Sequence, residues 1–257
     1  METILDKIVA NKRIEVAARI AVVGNEIPFI LRHEPVSMSR ALLDSPTGII
    51  AEFKRRSPSK GEIHPLALPS EIIPAYQAAG AAACSVLTDT VYFGGSLTDL
   101  SVARSVAELP LLRKDFIVSE YQIDEARAYG ADAILLIAAA LSREEVERFT
   151  RHAHGLGLEV LFEVHNEREL DKFCQEVDMV GVNNRDLSTF VTDPQLSLKV
   201  AKALPENVVK VAESGLTTID EVEQLRQSGF SGFLIGETFM RHDHPGDALV
   251  KFLEGTL

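Results

Sequence analysis

Four ionisable residues stand at the ends of four short apolar runs: Glu52 in 48–53, Lys114 in 110–114, Glu163 in 158–163 and Glu213 in 208–213. Lys54 lies two residues beyond Glu52, so on an extended strand it shares the same face one step higher, and His165 stands in the same relation to Glu163. A single charge at a strand end is ordinarily a rim ion pair worth little. Several charges in one mouth are another matter, because burying ionisable groups costs several kcal/mol unless they are paired. Three carboxylates and two lysines gathered there push their pKa values apart, which supplies separate acids and bases at neutral pH. The chemistry this predicts is acid/base catalysis with no cofactor.

Two further stretches suit an anion. Ala212-Glu213-Ser214-Gly215 and Ile235-Gly236-Glu237 end apolar runs in glycine, which exposes backbone N–H groups at the start of the next helix. The segment Lys54-Arg55-Arg56-Ser57-Pro58-Ser59-Lys60 holds four cations in seven residues. Together they favour a small phosphorylated substrate. Other candidates are weaker. His152/His154 and His242/His244 are H-x-H pairs, but i and i+2 point apart on a helix and neither pair has matching Cys or carboxylate spacing, so no metal is expected. Cys84 lies within an apolar run and reads as a small core residue.

The elements that must position these residues follow a repeat of apolar run, turn and helical pattern. Strands are expected at 48–53, 82–87, 110–114, 133–137, 158–163, 178–183, 208–213 and 232–236, with starts 20 to 34 residues apart, the length of a βα unit. Ser142 with Glu145 and Thr218 with Glu221 are capping boxes, and Gly80, Gly130, Gly155 and Gly229 fall where helices should end. Eight units point to an α/β fold, a (β/α)8 TIM barrel, whose reactive residues project from the C-terminal strand ends with alternate strands sharing a layer. A doubly wound sheet is disfavoured because no G-x-G-x-x-G follows a first strand; a G-x-x-x-x-G-K-[ST] phosphate loop is also missing.

The barrel occupies 47–257 as a single catalytic domain. Residues 1–46 read as an N-terminal helical extension packed on it: Ile4, Ile8, Val9, Val16 and Ile20 recur at helical spacing, followed by a connector carrying Pro28, Pro35 and Pro46. Over 257 residues, 26 Lys+Arg stand against 38 Asp+Glu, and a net charge of −12 argues against nucleic-acid binding. The longest apolar run, Ala133 to Leu141, is nine residues, too short for a membrane span. Met1 to Ile20 has no targeting character, and two cysteines fit free thiols in a reducing cytoplasm.

The segment Ile49 to Ser59, containing E-F-K-x-x-S-P-S, resembles the signature of the indole-3-glycerol phosphate synthase family of tryptophan biosynthesis. The resemblance continues through Val86-Leu87-Thr88-Asp89, Tyr92-Phe93-Gly94-Gly95-Ser96, Arg113 to Val118, Glu163-Val164-His165, Gly181 to Leu187 with N-N-R-D-L, Ala212 to Gly215 and Phe233 to Gly236. It implies ring closure, decarboxylation and dehydration of 1-(2-carboxyphenylamino)-1-deoxyribulose 5-phosphate. In that role Lys114 is the general acid and Glu163 moves a proton at the dehydration step, beside Glu52, Lys54 and Glu213. Asn183 holds the reacting groups, and Arg185 lies near the substrate carboxylate. Ser214, Gly215, Gly236 and the backbone of Glu237 take the phosphate. Phe93, Phe116, Leu187 and Leu234 form the aromatic slot, with Ser57 and Pro58 in the neighbouring loop. His165 stands where some members carry Asn, and Glu237 where others carry Ser.

Two rival readings are a phosphoribosylanthranilate isomerase-like barrel and a non-catalytic sugar-phosphate-binding barrel. The first needs only one acid/base pair, and the second leaves the charged mouth without a use. A monomer is expected, with association with other tryptophan-pathway enzymes open.

Overall fold

The computed structural model describes residues 3–24, 27, 31–185, 191–193 and 195–257; Met1, Glu2, Pro28, Asp186 and Leu187 lie outside them. Eight parallel strands close into a barrel: β1 (Ile49–Phe53), β2 (Ala83–Leu87), β3 (Leu111–Lys114), β4 (Ala133–Ile137), β5 (Glu159–Val164), β6 (Met179–Asn183), β7 (Val209–Glu213) and β8 (Gly232–Ile235). β8 returns to pair with β1, with Ile50 opposite Leu234. Apart from single-residue differences at their ends, the strands fall where the apolar runs place them.

Successive side chains alternate between two apolar layers. Ile50, Leu112, Leu161 and Val211 of the odd strands fill the barrel interior with Ala83, Ala133 and Met179 of the even ones. The outward set, including Ala51, Val86, Phe162 and Phe233, packs beneath the surrounding helices. Because both faces are covered, the strands read as continuous apolar runs.

The helix signals hold in most cases. Ser142 and Thr218 each form a capping box with the Glu three residues on. Gly80, Gly130 and Gly229 take positive φ after their helices, but Gly155 is the last helical residue and Gly157 makes the left-handed turn instead. Two glycines in one stretch offered the chain a choice, and the helix runs on one half-turn further.

The N-terminal segment closes both ends of the barrel. Helix α1 (Ile4–Val23) is capped by Thr3 with Asp6 and buries Leu5, Ile8, Lys12 and Val16. Ile8 and Val16 of the expected stripe are buried, Ile4, Val9 and Ile20 pack partly buried against the core, and Leu5 joins them beside an unexpected inward residue, Lys12. Its Nζ lies 2.9 Å from Asp89 Oδ2 and 3.1 Å from Asp115 Oδ1, with no exposed surface. Within the connector, Ser37 caps α2 (Met38–Asp44), whose Met38 and Leu42 plug the opposite end. Among the described residues no helix is long and apolar enough to cross a membrane.

Candidate active site

β1, β3, β5 and β7 each deliver one charged group to the same layer at the barrel mouth. Lys114 Nζ lies 3.1 Å from Glu163 Oε2 and in short contact with Glu213 Oε2. Lys54 Nζ stands 2.6 Å from Glu52 Oε1. From β6, Asn183 Nδ2 donates to Glu163 Oε1 at 3.2 Å, while its own Oδ1 accepts the backbone N–H of Arg185 at 3.0 Å. All six expected catalytic residues therefore meet in one cluster, and the three carboxylates are almost fully buried.

The charges are divided unequally. Burial works against the Lys114 ammonium, but Glu213, Glu163 and Glu52 override it and hold the proton well above the ordinary lysine value. Burial also opposes the charge on Glu163, yet Lys114, His165 and Asn183 keep its carboxyl far below the usual range. Glu213 goes the other way: burial and the neighbouring Glu163 outweigh Lys114 and raise it to about 8. One cation thus sits between an ionised carboxylate and a protonated one, the separation of acid and base that proton transfer requires.

A cavity of about 330 Å³ opens above this layer. One wall is apolar: Phe93 and Phe116, with ring centroids 6.1 Å apart, stand with Leu234 on the cavity lining. The sequence reading missed the rest of that wall, namely Leu5 and Ile8 from α1, Leu87, Leu135 and Ile137. Leu135 and Ile137 face inward by simple alternation on β4, so the strand period held the signal. Leu5 and Ile8 become visible only once α1 lies across the mouth.

The opposite side is polar. Ser214 has φ 66°, the only positive φ at a non-glycine among the described residues, and Gly215 follows at 76°. This is strained backbone of the kind that binding sites retain. Gly236 precedes the short helix Glu237–Met240, whose first N–H groups have no intrahelical acceptor and border the cavity. Glu237 turns its carboxylate aside, 3.3 Å from Lys60 Nζ and 3.5 Å from Arg185 Nη2. Arg185 also donates to Ser59 Oγ at 2.8 Å, so the loop after β1 is tied across the mouth with Ser57 and Pro58 on the lining.

The cationic run after β1 is not one anion site. Arg55 grips Asp99 through both guanidinium nitrogens, at 2.7 and 2.8 Å, and Arg56 donates to the carbonyls of Thr90 and Val91. These two cations build the loop; Lys54 and Lys60 alone reach the mouth. His152 and His154 point to different carboxylates, Asp124 and Asp178. Cys84 is buried in the core and its thiol is pushed up by burial.

Fold and mouth together define an enzyme of the (β/α)8-barrel class, with an acid/base layer beneath an apolar slot. Solved structures agree on the fold. N-acetylmannosamine-6-phosphate 2-epimerase from Clostridium perfringens superposes with a TM-score of 0.61 at 15% identity, covering 82% of this chain and 94% of that one. Thiamine phosphate pyrophosphorylase from Pyrococcus furiosus gives 0.59 at 14%, covering 86% and 100%. Sequence comparison narrows the class. The family model for indole-3-glycerol phosphate synthase matches residues 5–252. Indole-3-glycerol phosphate synthase of Bacteroides thetaiotaomicron is 50% identical over 99% of each chain, and that of Neisseria meningitidis 49% over 95% and 96%. The chain belongs to the indole-3-glycerol phosphate synthase family.

Proposed function

We propose that this chain converts 1-(2-carboxyphenylamino)-1-deoxyribulose 5-phosphate to indole-3-glycerol phosphate, with release of CO₂ and water. The observation that carries this reading is Lys114, seated between Glu163 and Glu213 directly under the aromatic slot. The aryl ring lies against Phe93, Phe116 and Leu234. The phosphate takes the N–H groups around Ser214, Gly215, Gly236 and Glu237, and Arg185 faces the carboxylate.

In the first step the ring carbon bearing the carboxylate attacks the ketose carbonyl, and Lys114 gives its proton to the carbonyl oxygen. The protonated Glu213 is placed to reload Lys114. The C–CO₂ bond then breaks and its electrons restore the aromatic ring, so no electron-sink cofactor is needed. The reloaded Lys114 gives a second proton to the new hydroxyl, which leaves as water, and Glu163 removes the carbon-bound proton whose loss completes the indole. Glu52 and Lys54 balance charge beside this centre, and Asn183 orients Glu163.

The barrel at 47–257 acts as one catalytic unit with 1–46 as its roof and closure, as a cytoplasmic monomer open to association with other enzymes of the pathway. The rival of a sugar-phosphate-binding module predicts affinity without turnover. Indole fluorescence on mixing with the substrate decides between them: wild type turns over, and Lys114→Ala loses about 10²-fold or more. Binding by a silent wild type would overturn the proposal, and a fast Lys114→Ala would remove Lys114 from the acid role.

A further inference from the structure

One buried imidazole at the rim of the acid/base layer has no part in the steps above. His165 follows β5 directly, and strand alternation sends its ring to the same face as Glu163. Its Nε2 lies 3.1 Å from Glu163 Oε1, and its Nδ1 lies 3.3 Å from Glu169 Oε2, with the side chain 9% exposed. Glu169 is fixed in turn. The same Oε2 accepts the backbone N–H of His165 at 2.7 Å, and Oε1 accepts from Asn166 Nδ2 at 2.8 Å. An imidazole set between two carboxylates serves both only when both ring nitrogens carry protons.

We propose that His165 is a positioning residue, held as an imidazolium by Glu169, that fixes Glu163 as the ionised base for the dehydration step. The inference rests on the function proposed above and adds a residue to it. Glu163 is then held from three directions: Lys114 from β3 donates to Oε2, Asn183 from β6 donates to Oε1, and the His165 ring stands in ion-pair contact with Oε1 at 3.1 Å. The other charged groups nearby do not compete for the ring. Glu213 on β7 is engaged with Lys114, and Lys172 Nζ is spent on the carbonyls of Ala138 and Leu141, at 2.7 and 2.8 Å. Burial pulls the His165 pKa down, but the contacts to Glu163 and Glu169 prevail and lift it to about 10.

The test combines kinetics with a direct view of the ring. In wild-type enzyme, ¹⁵N-histidine NMR is expected to show both nitrogens of His165 protonated at neutral pH. In Glu169→Gln the ring should titrate closer to an ordinary histidine. Profiles of kcat and kcat/KM against pH are then recorded for His165→Ala and His165→Gln with the carboxyphenylamino-deoxyribulose phosphate. His165→Ala should lose about tenfold or more in kcat with KM little changed, and its acidic limb should move up by about one unit. The glutamine variant keeps a neutral donor and should recover part of kcat. A neutral ring in the wild type overturns the proposal, and so does a His165→Ala profile that superimposes on the wild type. If His165→Ala does not fold, the nitrogen shifts and Glu169→Gln decide. If the wild type itself gives no indole, the functional reading fails, while the nitrogen shifts still report separately whether the imidazolium exists.

Discussion

Gly181 on β6 leaves the space that Glu213 on β7 fills: a methyl group at position 181 would overlap Glu213 Oε1 and lie 3.3 Å from its Cδ. Gly236 does the same for Glu52, whose Cβ and Cδ would both lie 3.0 Å from an added methyl. Glycine on β6 and glycine just past β8 thus leave room where carboxylates of the odd strands swing across the mouth. Gly181→Ala should push Glu213 off Lys114 and lower kcat/KM by about 10²-fold, as a displacement of about 1 Å at a reacting group does. Overpacking should also cost about 1–3 kcal/mol of stability. Gly155→Ala is the control, because nothing lies within 4 Å of the added carbon. Indole fluorescence and thermal melts of both variants check this, and normal activity in Gly181→Ala would sink it.

That relationship marks where the sequence stopped being readable. Strand positions, capping boxes and the layer Glu52–Lys114–Glu163–Glu213 followed from period and spacing, because each depends on residues close in the chain. Gly236 reads as a phosphate glycine and Gly181 only as part of a strand; the space each leaves for a carboxylate appears only when a neighbouring strand supplies it. The run from Lys54 to Lys60 misled for a similar reason. Arg55 and Arg56 find their acceptors at Asp99, Thr90 and Val91 on the two helices that follow β2, a partnership set by the pairing of β1 with β2. Lys12 carried no signal in the sequence, since a lysine on a helix belongs outside unless buried acidic partners such as Asp89 and Asp115 lie beneath it.

Lys12 therefore carries a stability prediction. Its ammonium bridges Asp89, which caps the helix bearing Phe93, and Asp115, the neighbour of Lys114. Lys12→Met leaves buried carboxylates short of a partner and should cost about 3–5 kcal/mol in denaturant unfolding. A pH signature goes with it. Burial alone would raise the Asp115 pKa, but Arg113, Lys12 and Thr88 hold it below the ordinary aspartate value. A carboxyl that is more acidic folded than unfolded adds stability above the unfolded value, and this is lost as pH falls through the folded one. Without Lys12 the folded value climbs, so acid unfolding followed by circular dichroism should begin at higher pH in the variant. Coincident acid transitions would remove Lys12 from this role.

Glu237 makes the opposite kind of prediction, a gain. Its carboxylate borders the proposed phosphate site and occupies Lys60 and Arg185, two cations that substrate anions would otherwise meet. Glu237→Gln keeps the helix start and backbone N–H while releasing both. Partly exposed pairs are worth little each, so inhibition by inorganic phosphate should tighten by roughly two- to fivefold, with the gain shrinking in high salt. Inhibition constants at two ionic strengths check this. Weaker phosphate binding in the variant would mean that Glu237 supports the site instead of drawing on its cations.

Glu163 and Lys114 are only 3.1 Å apart, yet they are assigned to different steps, and that division is open to measurement. Glu163→Gln preserves the hydrogen bond from Asn183 and most of the volume but removes the base. With the charge on Glu163 gone, Glu213 loses one of the groups that raised it and ionises, so with Glu52 it keeps Lys114 protonated and ring closure with loss of CO₂ should proceed. In a single turnover, the variant should therefore release CO₂ while indole fluorescence lags by about 10²-fold or more. Lys114→Ala should stop both signals together, because nothing then protonates the carbonyl. If Glu163→Gln slows CO₂ release as much as indole formation, Glu163 is already needed at ring closure and the two groups act as one unit from the first step.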